Sequence, residues 1–370
     1  MKKIVLLPTK NEDWIIDTFL KNVTAWADLV IIADQSSIDS TRDKIKQYKN
    51  VLLIDNPYIG HSNKVRWLLR DTLVSYLKNE LGTEAIAESS TKTSTERSIS
   101  DNHVLVFCLD ADEILTQQAL EWTESEAKKH IESNPTESEM QFIYPWIQLY
   151  PTATQYRTDG VWKESAQMAA FLFDITKEIP DYNRTEVVND HTTRIPTIYT
   201  SGPASKVPLS PTTALTATCP HPLLHLQFLA IKRTQLKQAW YMCQELIAGK
   251  KNVRHINLQY AEAIHFAHIK PKTLHTSYLK GVQIPPAEYF KTTDRLRLAD
   301  IIELFIFHGI TTFEALDIWH IPELRALFIE EVGRKPRLKK YPIYTRILHK
   351  YAPRPFKNML KWAMKITRNR

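Results

Sequence analysis

A chain of 370 residues with 43% hydrophobic and 24% charged side chains has an ordinary globular makeup, long enough for one large core or two smaller ones. Eight glycines argue against glycine-rich phosphate loops, and Cys108, Cys219 and Cys243, an odd number without metal-type spacing, read as reduced thiols, with Cys108 in the core. The net charge of +7 is concentrated at one end: residues 331–370 hold thirteen Lys or Arg against Glu331 alone, which leaves residues 1–330 at −5.

The opening apolar run is too short for a signal peptide, and no stretch reaches the roughly 18–20 apolar residues of a spanning helix. A cytoplasmic protein is expected. Residues 4–7 read as a first strand, followed by a Pro-Thr-Lys-Asn-Glu turn. A helix is predicted over 13–26, with Trp14, Ile15, Phe19, Val23 and Trp26 on its buried face. Strands follow at 29–33 and 51–54, separated by turn and cap residues 36–41 and a short helix to about residue 48. Residues 61–81 form a longer helix with Val65, Leu68, Leu69, Thr72, Leu73 and Leu77 at apolar positions. Alternating strands and helices imply an α/β fold, a mostly parallel sheet flanked by helices.

Residues 83–102, rich in Ser, Thr and Glu, lack periodicity and read as a loop insertion. Then comes Val-Leu-Val-Phe-Cys-Leu-Asp-Ala-Asp-Glu at 104–113, a strand buried on both faces that carries Asp110 and Asp112 to its C-terminal end. Ligands of open α/β sheets bind outside that end, and carboxylates there suit a hard divalent cation gripping phosphate oxygens. The competing reading is that one of these aspartates caps a helix running through Leu120.

Further on, a helix is predicted at 116–133, strands at 140–150 and 169–173, an irregular Pro-, Ser- and Thr-rich stretch at 181–220, and an apolar segment at 223–229 that contains His225. Helical patterns at 234–248, 257–268, 294–308 and 322–331 make the last third mostly helical, with Pro285-Pro286 marking a break.

Three features stand at the ends of successive strands: Pro8, Asn11 and Glu12; Asp34-Gln-Ser-Ser-Ile-Asp-Ser-Thr41; and Asp110-Ala111-Asp112. In this order they resemble the motifs of family 2 glycosyltransferases of the GT-A (Rossmann-like) fold. Asp34, Ser37, Asp39 and Thr41 match the second motif in register, while Ser36 and Ser40 replace its glycines. The likeness covers residues 3–120 well, fades towards 250 and is absent beyond.

The resemblance implies a metal-dependent inverting transferase using a nucleotide-sugar donor, most simply UDP-linked, with a glycan or lipid-linked acceptor in surface polysaccharide biosynthesis. It implies that Asp34 with Asn11 or Glu12 holds the base or ribose, and that Asp112, with Asp110, binds Mn²⁺ or Mg²⁺ on the diphosphate. For Asp34 and Asp39 the alternative is turn and cap chemistry. Arg66, with Lys64, is a candidate phosphate contact.

A third metal ligand in such enzymes is commonly a histidine after the acceptor loop. His225 stands at such a place, although a histidine in an apolar segment also fits a plain core role. Candidate bases for the acceptor hydroxyl are Asp159, Glu164, Asp190 and His191. The segment His191-Thr-Thr-Arg-Ile-Pro196 resembles a His-Glu-x-Arg-x-Pro element in which Thr192 replaces the carboxylate, which makes Asp190 the preferred base.

The expected organisation is therefore a nucleotide-sugar-binding and catalytic domain at 1–232, a helical region at 233–332 and a basic tail at 333–370. Residues 354–368 fit an amphipathic helix: Phe356, Met359, Leu360, Ala363 and Met364 form one face, and Lys357, Lys361, Lys365 and Arg368 another. Such a helix suits an anionic membrane surface on the cytoplasmic side, or packs on its own domain. No nucleic-acid recognition motif accompanies the charge. The rival readings are a sugar nucleotidyltransferase, whose Gly-rich opening loop is missing here, and an inactive GT-A domain serving as a scaffold.

Overall fold

The computed structural model describes residues 1–58, 64–88, 102–134, 139–163, 165–174, 215–249, 251–265 and 269–337. Glu164, Asp190, His191 and the 354–368 helix lie outside the described residues. The chain forms two compact units, one of Met1–Ile231 with Ile269–Lys291, the other of Lys232–His268 with Thr292–Arg370.

The first unit begins β1 (Lys2–Thr9), α1 (Ile16–Val23), β2 (Leu29–Asp34), α2 (Thr41–Ile45), β3 (Val51–Asp55), α3 (Lys64–Glu88) and β4 (His103–Cys108). It continues with β5 (Glu113–Leu115), α4 (Gln117–Ser133), β6 (Met140–Gln148), β7 (Gln155–Tyr156), β8 (Ala166–Asp174), β9 (Leu215–Thr218) and β10 (Leu223–His225). Helix α5 (Ile231–Ile247) leads into α6 (Val253–Ile264); β11 (Lys272–Thr273) precedes α7 (Arg295–His308) and α8 (Pro322–Val332).

One nine-stranded sheet runs in the order β3-β2-β1-β4-β8-β6-β10-β5, with β9 beside β6. Strands β3, β2, β1 and β4 are parallel, whereas β8 runs antiparallel to both β4 and β6. A small antiparallel pair, β7 with β11, ties the returning segment to this unit. The expected α/β class, a Rossmann-like sheet between helices followed by a helical extension, is the class observed.

The alternation of buried residues explains both faces. Val5, Leu7, Val30, Ile32, Leu105 and Phe107 point to the side covered by Ile16, Phe19, Leu20 and Val23 of α1. Ile4, Leu6, Ile31, Val104, Val106 and Cys108 point to the other, where Val65, Leu69, Leu73 and Leu77 of α3 recur every fourth residue. Every residue of β4 is buried, as a central strand with two covered faces requires.

Two expectations need correction. Residues 83–88 continue α3, because Glu, Ala and Ile in that stretch sustain a helix already under way; only 89–101 of the expected insertion lies outside the described residues. The aspartates do not cap a helix: a turn closed by the Glu113 amide on the Asp110 carbonyl (3.0 Å) leads into β5. The cap of α4 is Thr116, whose hydroxyl accepts from the Ala119 amide at 3.3 Å and donates to the Pro222 carbonyl at 3.0 Å.

The second unit packs α5 to α8 around Trp319, Phe313 and Phe328, all fully buried, with Leu236, Met242, Ile256 and Ile301. Among the described residues no helix is long and apolar enough to cross a membrane.

The loop after β2 holds Ser36 at φ 50°, in the left-handed region where a side chain costs roughly 1–2 kcal/mol. This is a position where the resembled motif carries glycine. Ser36→Gly is expected to stabilise the protein by about 0.5–1 kcal/mol, the relief being partly offset by the freer unfolded glycine. Urea denaturation checks it; a lower midpoint would show that the serine side chain supports the loop.

Candidate functional site

The parallel pairing of β1, β2 and β4 sends all three chain ends out of one edge of the sheet. Thr9 lies beside Asp34, Asp34 beside Asp55, and Leu6 beside Cys108. The turns that follow carry Asn11 and Glu12, Ser37 and Asp39, and Asp110 and Asp112. The three motifs therefore leave the same edge, the carboxyl edge where α/β sheets bind ligands. Pro8 sits in the last part of β1, past the end of its pairing with β4.

Strand β10 brings in a fourth element from more than a hundred residues away. It runs antiparallel to β5 with His225 opposite Glu113, and parallel to β6 with His225 opposite Gln148. The Leu226 amide donates to the Asp112 carbonyl at 2.8 Å, which locks this register beside the acidic turn. As a result His225 Nε2 lies 3.2 Å from Asp112 Oδ2, and His225 Nδ1 lies 2.6 Å from Gln148 Oε1. Trp146 stacks on the imidazole with centroids 4.5 Å apart and planes 18° apart. Asp112 and His225 are both buried.

One tautomer follows from the Gln148 amide as it stands, with its oxygen towards Nδ1. With Nδ1–H donating to the Gln148 carbonyl oxygen, Nε2 turns its lone pair towards a carboxylate oxygen. Two facing acceptors repel unless a cation, either a proton or a metal ion, lies between them. Two cis ligands of one octahedral ion at about 2.1 Å stand about 3 Å apart. The Asp112–His225 spacing therefore fits a shared divalent ion, and imidazole plus carboxylate is an acceptable donor set for Mn²⁺. Among the described residues, Asp110 does not close with this pair into a compact three-donor cluster.

Asp110 is held instead by its own turn. Its amide donates to Glu113 Oε2 at 3.0 Å, and its charge acts on Arg66 at the start of α3. Arg66 is buried; that burial lowers its pKa while Asp110 opposes the shift, and its Nε finds no hydrogen-bond partner among the described residues. A buried guanidinium with an open donor at the carboxyl edge suits an incoming phosphate oxygen. Glu113 is almost fully buried, and this burial, followed by the charge of Asp110, raises its pKa well above the usual carboxylate range. Ala111 points into the core between the two aspartates.

Around β2 the structure changes the role expected of Asp34. Its side chain is fully buried; one oxygen accepts from the Ser37 hydroxyl (2.5 Å), the other from the Ser37 amide (3.0 Å) and Arg42 (2.9 Å). Arg42 also reaches Asp55 at 2.8 Å. Asp34 therefore organises the turn and has no exposed oxygen for a base or ribose.

The turn it organises is sewn to the first motif. The Asn11 amide donates to Ser37 Oγ at 2.8 Å, the Ile38 amide to Asn11 Oδ1 at 2.9 Å, and the Glu12 amide to Thr41 Oγ1 at 2.8 Å. Asp39 accepts from the amides of Thr41 (3.0 Å) and Asp13 (3.2 Å), the turn chemistry anticipated as its alternative role. Ile38, 77% exposed, is the apolar side chain this loop presents to solvent.

Asp159 is engaged by Arg157 through a two-pronged contact: Nε to Oδ1 at 2.9 Å and Nη2 to Oδ2 at 2.6 Å. Arg157 is buried and stacks over Phe228 (4.3 Å) and Trp162 (5.5 Å), whose rings connect to Trp146 and so to His225. Both oxygens of Asp159 are taken up by the guanidinium fork, which works against Asp159 as a base and makes it a brace for this wall. His221 packs near Tyr278, with centroids 6.3 Å apart.

Sequence reasoning missed Gln148, Trp146 and Arg157. Gln148 left a trace, as the polar residue ending an otherwise apolar strand pattern, but its partner could not be read without the register of β10.

No protein-family model and no curated protein matches the chain. Among solved structures it is similar to glucosyl-3-phosphoglycerate synthase from Mycobacterium tuberculosis in complex with Mn²⁺, UDP and glucosyl-3-phosphoglycerate, at 13% identity over 38% of this chain and 43% of that one, with a TM-score of 0.20. It is also similar to 4-diphosphocytidyl-2C-methyl-D-erythritol synthase from Anaerococcus prevotii, at 9% identity over 47% and 72% of the two chains, with a TM-score of 0.23. HddC from Yersinia pseudotuberculosis aligns at 10% identity over 48% and 78%, with a TM-score of 0.21. The chain thus spans less than half the length of the mycobacterial synthase, and superpositions at these scores say nothing of what this protein does.

Removing Asp159 leaves the Arg157 charge buried without its carboxylate. Asp159→Asn is expected to cost about 3–5 kcal/mol, while Arg157→Met with Asp159→Leu recovers most of that loss. Denaturant titration of the three proteins checks this; a double variant as unstable as the single one would assign Arg157 a further structural contact.

Proposed function

We propose that this protein is a divalent-metal-dependent glycosyltransferase of the GT-A type, taking a sugar from a nucleotide-sugar donor. The observation that carries the reading is the Asp112–His225 pair, 3.2 Å apart at the carboxyl edge of the sheet, with Gln148 orienting the imidazole. Gln148 and Trp146 hold the ring so that Nε2 faces Asp112, at the spacing of two ligands that share one ion. The order of motifs supports the same reading, since Asn11, Ser37 and Asp112 leave one edge.

In this scheme Asp112 and His225 hold Mn²⁺ or Mg²⁺, and Asp110 and Arg66 flank the diphosphate. The ion, when bound, neutralises charge as the nucleoside diphosphate leaves. Arg66 offers its open Nε to a phosphate oxygen, and the sewn loops of Asn11, Glu12, Ser37 and Asp39 form the wall for the nucleoside. Asp34 acts through the turn that it shapes. The acceptor hydroxyl requires a base for inversion, and we assign it to Asp190, with His191 as its neighbour. UDP is the preferred nucleotide, the acceptor is a glycan or lipid-linked molecule of surface polysaccharide synthesis, and residues 354–368 hold the enzyme at an anionic membrane surface inside the cell.

Calorimetric titration with UDP, GDP, CDP and dTDP tests the core of this reading. One diphosphate is expected to bind with Mn²⁺ and to lose at least tenfold in affinity with EDTA, with Asp112→Asn or with His225→Ala. Equal binding in EDTA would remove the metal from the site. Absence of all binding would leave a scaffold in place of an enzyme.

A further inference from the structure

The second unit contains a cluster that the transferase reading does not use. His265 follows the last turn of α6, and Asp317 and His320 lie in the turn between α7 and α8. One ligand atom from each comes within 4.8 Å of the other two, and all three side chains are half-buried. His265 Nε2 is 2.9 Å from Asp317 Oδ2, and the two imidazole rings have centroids 4.8 Å apart.

The surroundings hold this cluster in place. Asn257, buried within α6, donates through its side chain to the Ala315 carbonyl at 3.0 Å and accepts from the Asp317 amide at 2.9 Å. Ile318 and Trp319, both fully buried, anchor the next two residues in the helical core, and the Trp319 indole donates to the Glu314 carbonyl at 3.0 Å. The backbone carrying Asp317 and His320 is thus fixed before any ligand arrives.

His320 shows what is missing. Both of its ring nitrogens are shielded from solvent and neither makes a well-formed hydrogen bond among the described residues, the Asp317 backbone being the smallest of the influences on the ring. Leaving such groups unsatisfied is unfavourable, and native structures rarely do so without a reason. A His–Asp ion pair explains His265 and Asp317 but leaves His320 unexplained. Coordination of one ion accounts for all three.

We propose that His265, Asp317 and His320 bind one divalent transition-metal ion of the Zn²⁺ class, clasping the end of α6 to the turn between α7 and α8. Two imidazoles and one carboxylate form a borderline donor set of the kind that selects Zn²⁺ or Co²⁺ over the hard cations Mg²⁺ and Ca²⁺. Three protein ligands leave a fourth, tetrahedral position for water. The proposal rests on residues of the helical unit alone and is independent of the nucleotide reading.

The test uses the untagged full-length chain carrying Asp112→Asn and His225→Ala, so that the sheet-edge pair cannot bind metal. After stripping with EDTA, Co²⁺ is expected to bind in one equivalent with visible d–d absorption, and Zn²⁺ to displace it and raise Tm. Adding His320→Gln, or separately His265→Gln, is expected to lower Co²⁺ affinity at least tenfold and to abolish the Zn²⁺-dependent rise in Tm, with the far-UV spectrum unchanged. No Co²⁺ binding in the parent would overturn the proposal. So would equal affinity in either glutamine variant that keeps its fold.

Discussion

The site depends on the antiparallel pairing of β10 with β5. Three residues of each strand set the register, and one bond, from the Leu226 amide to the Asp112 carbonyl, ties β10 to the acidic turn. A slip of one residue would turn His225 to the opposite face and replace it by Leu224 or Leu226. The same pairing puts Gln148 on the second imidazole nitrogen through β6, and Trp146 on the ring face. The Asp112–His225 spacing, the partner of Nδ1 and the packing of the histidine thus all follow from one strand placement.

Much of the fold was legible because local pattern and tertiary role agree. The alternating apolar residues of β1 and β2, the continuous run of β4 and the four-residue spacing in α3 each report a burial that the sheet then imposes. The edge of the sheet was legible for the same reason, since motifs that follow parallel strands must emerge together. The helical patterns of the last third likewise became α5 to α8. The end of α3 was misjudged because polar helix formers carry no periodic signal.

The site was legible only in part. Residue type and order singled out Asp112 and His225, which the fold sets 3.2 Å apart, but gave no sign of the burial of Asp34. A buried aspartate and a ligand-binding one look alike in sequence; what separates them here is Arg42, one helix later, reaching back to neutralise it. Arg157 and Asp159, two residues apart, form a fork whose strength comes from Phe228 and Trp162 stacked around the cation, a burial that no local pattern announces. His265, Asp317 and His320 escaped notice because their spacing matches no metal motif, and only the packing of the α7–α8 turn against α6 assembles them.

The account stands on a metal ion shared by Asp112 and His225. A crystal of the protein grown with Mn²⁺ and a nucleoside diphosphate, measured at the manganese absorption edge, tests this most directly. An anomalous peak about 2.1 Å from both Asp112 Oδ2 and His225 Nε2, with diphosphate oxygens completing the shell, is the predicted result. A nucleotide bound at the sheet edge with no manganese between those two side chains would contradict it.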